Sequence, residues 1–190
     1  MYKRQTHRIL ASGESKTLAE SLAREAGATN VATPNITTFD GQRATVEVLD
    51  QKSYVADFDV EVQGKTFVAD PVIGTYVKGL RLETRAKILH DGKTVAAGLD
   101  LDVRRHVEPV AEETLPRIGD APPMKVQRPE IVGSRWTRSV TIPTSHTLLV
   151  AFPAGFGAAP GRRLVLLYTP SLTDPDEGGV LRLPDAPAGK

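Results

Sequence analysis

The chain has no cysteine, one tryptophan and two methionines, and aromatic residues fill only 5% of its 190 positions. Without cysteine there is neither a disulfide framework nor a thiolate metal site. With so few aromatics, any core rests on aliphatic side chains. An excess of one charge is missing too. Lys+Arg number 24 against 23 Asp+Glu, and the formal net charge of +1 gives no electrostatic reason for a nucleic-acid partner. No stretch approaches the ~20 apolar residues of a membrane-spanning helix, and no signal-peptide pattern is visible. The four histidines, His7, His90, His106 and His146, are scattered without ligand spacing. They read as surface or edge residues, so neither a metal nor any other cofactor is expected.

What remains is ordinary for a folded chain, at 40% hydrophobic and 25% charged residues, and the length suits one domain. Met1-Tyr2-Lys3-Arg4-Gln5 reads as a translated sequencing adapter, which makes Thr6 the first genuine residue. Setting aside Lys3 and Arg4 takes the net charge from +1 to −1 (1 − 2). Residues 6–173 are expected to form one β-rich domain, and the Pro/Asp/Gly-rich stretch 174–190 a disordered tail.

One helix is expected over Lys16–Ala26, where Leu18, Leu22 and Ala26 repeat every four residues. Thr17 and Glu20 would form its capping box, Gly27 would stop it, and its narrow stripe would dock on a sheet. Thr6–Gly13 carries no clear signal. Beyond the helix, period-2 alternation dominates. Ile36–Phe39, the turn Asp40-Gly41 and Gln42–Val48 read as a hairpin. Phe58, Val60 and Val62 alternate with Asp57, Asp59 and Glu61. Gln63-Gly64-Lys65 reads as a turn, Thr66–Ala69 as a short strand closed by Asp70-Pro71, and Val72–Val77 as a further apolar segment. Leu80–His90 and Thr94–Val103 form the most secure hairpin, turned at Asp91-Gly92. Its basic strand, with Arg81, Arg85 and Lys87, faces a return strand carrying Asp100 and Asp102, which predicts cross-strand ion pairs. Glu108–Pro123 reads as a long loop, followed by strands at Met124–Val132, Ser134–Ile142, Thr147–Phe152 and Arg163–Thr169. The fold class is therefore mainly β (α+β), with antiparallel hairpins, long amphipathic strands and one N-terminal helix.

The wording of several segments resembles the secretin family, the multimeric outer-membrane gates of bacterial secretion systems. Pro34-Asn35-Ile36-Thr37-Thr38-Phe39-Asp40-Gly41-Gln42-Arg43-Ala44 resembles the segment that opens the family's pore domain. Gly79–Glu83, Asp91–Val95 and Leu99–Val103 follow in the family's order. So do Pro129-Glu130-Ile131, Ser139–Pro143, Thr147–Val150 and Leu164–Pro170. Pro34, Gly41, Gln42, Ala44, Gly79, Asp91, Gly92, Pro129 and Pro170 are the motif positions that carry over. The chain departs from the pattern where Ala151-Phe152-Pro153 replaces a Gly-Gly pair and Pro153–Gly161 replaces a longer segment at the barrel's outer end.

The resemblance implies a non-enzymatic subunit of a homo-oligomeric ring in the bacterial outer membrane, working with other secretion-system components. One copy offers too few strands to close a barrel, and open sheet edges cannot sit in lipid, so many copies would share one wall. Asp57, Asp59 and Glu61, with Arg81, Glu83 and Arg85, would then line a water-filled lumen. The shortened Pro153–Gly161 favours a second reading, a soluble periplasmic scaffolding or adhesion module that keeps the sheet and lacks the pore. A cation site at Asp57, Asp59 and Glu61 is the lesser alternative to a solvated face. Ser139 and Ser145-His146 lack a Gly-x-Ser-x-Gly elbow, so no catalytic role is expected. Gly155-Phe156-Gly157 reads as a hairpin loop, and Trp136 as either a barrel-rim anchor or a packed core residue.

Overall fold

Alternation decides the body of the molecule. In Thr94–His106 every second residue from Val95 to Val103 is buried, which is what a strand does when one side meets a second layer. The computed structural model describes residues 6–25, 29, 32–63, 66–117 and 123–173. Its elements are β1 (Thr6–Leu10), α1 (Ser12–Arg24), β2 (Arg43–Gln63), β3 (Thr66–Ile88), β4 (Thr94–His106), β5 (Ala111–Thr114), β6 (Lys125–Arg128), β7 (Ile131–Pro143), β8 (Thr147–Ala151) and β9 (Val165–Tyr168). Every described strand pair is antiparallel, so the protein is mainly β with one helix near its start.

A four-stranded sheet in the order β2-β3-β4-β7 packs against a three-stranded sheet, β1-β8-β9. The core between them holds Leu82 from β3, the odd residues of β4, Trp136 and Ile142 from β7, Leu148 and Val150 from β8, and Phe152. Trp136 is a core residue, edge-on to Phe152 at 5.5 Å, and Phe152 stacks on Phe156 at 4.3 Å. Pro153–Gly161 is a loop, and it folds back onto the core. A Cβ on Gly157 would stand 2.7 Å from Val103 Cγ1, and the Gly157 N–H donates to Ser134 Oγ. The two layers are also tied by Thr84 Oγ1 and Tyr168 Oη, 3.2 Å apart.

Several local expectations change. Ile36–Phe39 is not a strand. The Asp40-Gly41 turn docks instead on the end of β3, where Gly41 N–H donates to Ala86 O and Asp40 Oδ1 accepts from Ile88 N–H. β2 takes its partner from the other direction, across a hairpin that closes at Gln63 and Thr66; Gly64 and Lys65 of the expected turn lie outside the described residues. β3 runs unbroken through Asp70-Pro71 and Lys78-Gly79, both expected to interrupt it. Thr6–Leu10, without a signal in sequence, is a strand because it completes the edge of β8.

The helix begins at Ser12, not Lys16. Glu14 Oε2 accepts from the Ala11 N–H, so the reciprocal contact comes from Glu14, while Thr17 Oγ1 donates back to Gly13 O. Ala26 and Gly27, its expected end, lie outside the described residues, as do 1–5 and 174–190. No residue of α1 is buried, so it does not dock on a sheet. Part of the expected loop Glu108–Pro123 is strand β5, paired with β6, and the segment Met124–Val132 is divided between β6 and β7.

Gly79 is the tightest point of the large sheet. Its φ is +139°, and an added Cβ would lie 2.1 Å from Val48 O. Gly133 has open space around its Cβ position. Gly79→Ala is expected to cost about 2 kcal/mol or more of stability, and Gly133→Ala to change it by less than about 0.5 kcal/mol, both read by urea unfolding.

Candidate functional site

β3 pairs with β4 only from Gly79 to Ile88, whereas β2 and β3 stay paired out to Gln63 and Thr66. Asp50–Gln63 and Thr66–Lys78 therefore form a two-stranded arm that leaves the body. At a strand's rise its length is about 45 Å. A lone ribbon of this kind has little stability of its own in water. Its root is braced by four contacts, one within the ribbon and three to the body. Tyr54 covers Gly74, whose added Cβ would meet the Tyr54 ring at 2.6 Å. Tyr76 stacks on His106 at 4.9 Å. From the β5–β6 hairpin, Gln127 Oε1 accepts from Val55 N–H at 3.1 Å, and Arg128 Nη1 donates to Ala56 O at 3.3 Å. Further out, no hydrogen bond, ion pair or ring contact ties the described residues of the arm to the body.

A register shift between Val55 and Asp57 leaves Ala56 as a bulge. Directly paired residues share a side of the ribbon. Below the bulge, Ala44, Val46 and Val48 pair with Thr84, Leu82 and Leu80 on the side that faces the core. Beyond it, Asp57, Asp59 and Glu61 pair with Val72, Asp70 and Val68, and these occupy that same side of the ribbon. The apolar residues Val55, Phe58 and Val60, with Ile73, Pro71 and Ala69, occupy the opposite side. The arm's apolar side is thus not a continuation of the core, and the ribbon changes its apolar side at the bulge. Ile73 is 56% exposed.

This geometry separates the six expected lumen residues into two sets. Arg81, Glu83 and Arg85 lie at the base, on the non-core side, opposite Glu47, Thr45 and Arg43. Asp57, Asp59 and Glu61 lie on the arm, on the other side of the ribbon, so the six do not form one stripe. At the base the charges make a lattice: Arg43 to Glu83 at 3.1 Å, Arg81 to Glu47 at 3.3 Å and Arg81 to Glu83 at 3.6 Å. The expected β3–β4 ion pairs are replaced by pairs to the flanking strands. Glu83 stands opposite Asp100, so Asp100 turns to Arg135 on β7, with Arg135 Nε 2.9 Å from Asp100 Oδ1. On the arm Asp59 stands directly opposite Asp70 with no cation partner among the described residues.

The motif positions are mostly places where backbone needs special treatment. Gly41 (φ +72°) and Gly92 (φ +61°) occupy turns, and the Gln42 N–H donates to Phe39 O. Asp91 accepts from the Lys93 and Thr94 N–H groups and from the Thr94 hydroxyl. Ala44 faces Thr84, and Pro129 sits between β6 and β7. Pro170 is buried, and its carbonyl accepts from Ser145 N–H. Pro34 is exposed in irregular chain. Among the histidines, His106 differs from expectation: its side chain is 4% exposed, with Nε2 unpaired and Nδ1 3.8 Å from Glu108 Oε1. Ser139 is exposed on β7, and Ser145 (φ +69°) and His146 follow in the turn to β8. No three His, Asp or Glu residues among those described are grouped to hold a metal.

Sequence reasoning missed the bulge, the Tyr54–Gly74 cover and the Gln127–Arg128 grip. Comparison with family models, with curated proteins and with solved structures returns no match.

The Arg135 hydrogen bond holds the Asp100 carboxyl below its ordinary 3.8; burial opposes it as the next largest effect, and the Arg135 charge adds a smaller lowering. The Thr94 hydroxyl and then the Lys93 N–H do the same for Asp91. A carboxyl lowered in the folded state contributes stability that is present above its unfolded pKa and lost as the pH falls through the folded value. Asp100→Asn and Asp91→Asn should each lower the urea midpoint at neutral pH. The gap to the parent protein should close as the pH is taken well below 3.8.

Proposed function

We propose that this chain is a non-enzymatic subunit of a homo-oligomeric, secretin-like channel in the bacterial outer membrane, passing protein cargo through a water-filled lumen. The observation that carries this reading is the pair of open edges on the four-stranded sheet. Among the described residues, β2 along Arg43–Tyr54 and β7 along Ile131–Pro143 each lack an outer strand partner. They run antiparallel to one another, because each step from β2 through β3 and β4 to β7 reverses direction. A second copy can therefore continue the sheet by antiparallel pairing of its β2 with the first copy's β7. A head-to-tail contact of this kind closes into a ring when its rotation allows. Closure would remove the edges that an isolated copy exposes. The order of the resembling segments and the amphipathic arm agree with the same reading. Other components of the secretion machinery would be its further partners.

One observation favours the soluble module. The core is complete within one chain, and Pro153–Gly161 packs back onto Val103 and Ser134 where a longer barrel segment would begin. Mass measurement on the protein extracted from envelope membranes in mild detergent separates the two. A heat-resistant ring of many copies is the expected result. A monomer or dimer recovered from the soluble periplasmic fraction would overturn the channel and leave the scaffolding or adhesion module.

A further inference from the structure

Both open edges of the large sheet turn the amides of their odd residues outward. Val55 N–H points away from β3, to Gln127. Alternate residues of a strand point their amides the same way, so the odd residues from Arg43 to Ser53 present theirs along the free edge of β2. On β7, Thr144 N–H donates to Lys93 O and Val107 N–H to Glu130 O, both in step with the β4–β7 ladder. The even residues of β7 therefore bond to β4, and the odd residues from Ile131 to Pro143 face the open edge. Pro143, with no N–H to offer, stands at one end of that edge, where a proline is tolerated. An antiparallel ladder between β2 and a second copy's β7 must join odd residues to odd ones, which also keeps the core side of the sheet continuous.

The side chains select among the registers that remain. Arg138 stands opposite the buried Leu99, so it leaves β7 on the core side, in the row of Trp136 and Val140. It is exposed and makes no hydrogen bond or ion pair among the described residues. An inward-pointing charge on an edge strand bars indiscriminate pairing. It admits a strand that brings the opposite charge to the same row. The core-side row of β2 is Ala44, Val46, Val48, Asp50, Lys52 and Tyr54, and Asp50 is its only anion. Asp50 is exposed, and Lys52 at 3.5 Å and Lys78 at 3.6 Å hold it only in loose surface pairs. The register that joins Asp50 to Arg138 also sets Val48 against Val140 and Val46 against Ile142. A shift of two residues either way sets Arg138 against Val48 or Lys52 instead.

We infer that neighbouring copies join with Asp50 of one directly opposite Arg138 of the next, in a ladder from Thr45 with Pro143 to Tyr54 with Ser134. The inference rests on the ring reading and gives its contact a register. Gln127 already holds Val55 N–H, so the ladder ends at Tyr54, and the second copy's Ile131–Gly133 pass that grip without pairing to β2. Gly133 brings no side chain to the crossing. Val48, 41% exposed in one copy, is covered by the next.

The chain has no cysteine, so paired cysteines report the register directly. Val48 and Val140 form a non-hydrogen-bonded pair in it, with Cα atoms about 4.5 Å apart, within reach of a disulfide. Within one chain they lie on opposite edges of the sheet, about 14 Å apart by strand spacing, and cannot bridge. The full protein carrying V48C and V140C is extracted in mild detergent, oxidised with copper phenanthroline and run on a non-reducing gel. The expected result is a ladder of covalent multimers, with about tenfold less from V46C with V140C, a diagonal pair about 7–8 Å apart. Asp50→Arg should raise the protein concentration needed for rings by about tenfold or more, and adding Arg138→Asp should restore it. If rings form and V46C with V140C gives the ladder instead, or neither pair does, the register is wrong and the ring stands. If the charge exchange does not restore rings lost to Asp50→Arg, Asp50 and Arg138 are not the selecting pair and the inference is overturned. If the parent protein shows no ring by mass, the ring reading fails and takes the register with it.

Discussion

Burial of one side of β4 is the interaction on which the rest of the molecule depends. β4 lies between β3 and β7, so its backbone is paired along both edges, and its odd residues Val95–Val103 lie under β8 and β9. Each fully buried aliphatic side chain contributes about 1.5–3 kcal/mol relative to exposure. That stripe holds β3 in place, and β3 in turn holds β2. The arm stands on this foundation, and its root is gripped besides by His106 and by the β5–β6 hairpin. It is a lever anchored by the paired segment Arg43–Leu49 with Gly79–Arg85, and Gly79 is where the backbones come closest.

The outer side of the same sheet works differently. Its charges are exposed, and isolated pairs of this kind contribute little to stability. Their arrangement still favours one register. Glu83 and Asp100 are directly opposed, and Arg43 from β2 and Arg135 from β7 approach them from either flank. Sliding β3 by one residue would turn these carboxylates toward the core and Leu82 toward solvent, because the side-chain period is two. The lattice therefore makes wrong registers worse more than it makes the right one better.

The body of the fold was legible because its strands announce themselves. Leu80–His90 and Thr94–Val103 alternate without error, and the structure pairs them as the Asp91-Gly92 turn predicts. Reading the hairpin alone gave the wrong ion pairs, since the flanking strands that supply Glu47 and Arg135 are distant in sequence. The arm was legible in part. Asp57, Asp59 and Glu61 do share one side, opposite Phe58 and Val60. What escaped was that this side is not the one carrying Arg81, Glu83 and Arg85. The signal was present in two strands taken together. In β2 the apolar positions stay even, at Val46, Val48, Phe58 and Val60. In β3 most change from odd, at Phe67, Ala69, Ile73 and Val77, to even, at Leu80 and Leu82, with Val68 and Val72 as the exceptions. Two such strands stay in phase only if one residue is left out of the pairing. His106 was misjudged because its burial comes from Tyr76, which reaches it from the arm rather than along its own strand.

The bulge has a consequence for how the chain tolerates changes of length. Elsewhere in β2, losing one residue would exchange the two sides for every residue beyond the cut, mixing Asp57, Asp59 and Glu61 with the apolar partners Pro71 and Ala69. At Ala56 the loss is absorbed. Val55 already pairs with Ile73 and Asp57 with Val72, so the shortened strand would keep both sides as they are and become regular. The only described hydrogen bond forfeited is the one from Arg128 to the Ala56 carbonyl. In a ribbon whose two chemistries are kept apart by counting, Ala56 is the position at which the count is free to change.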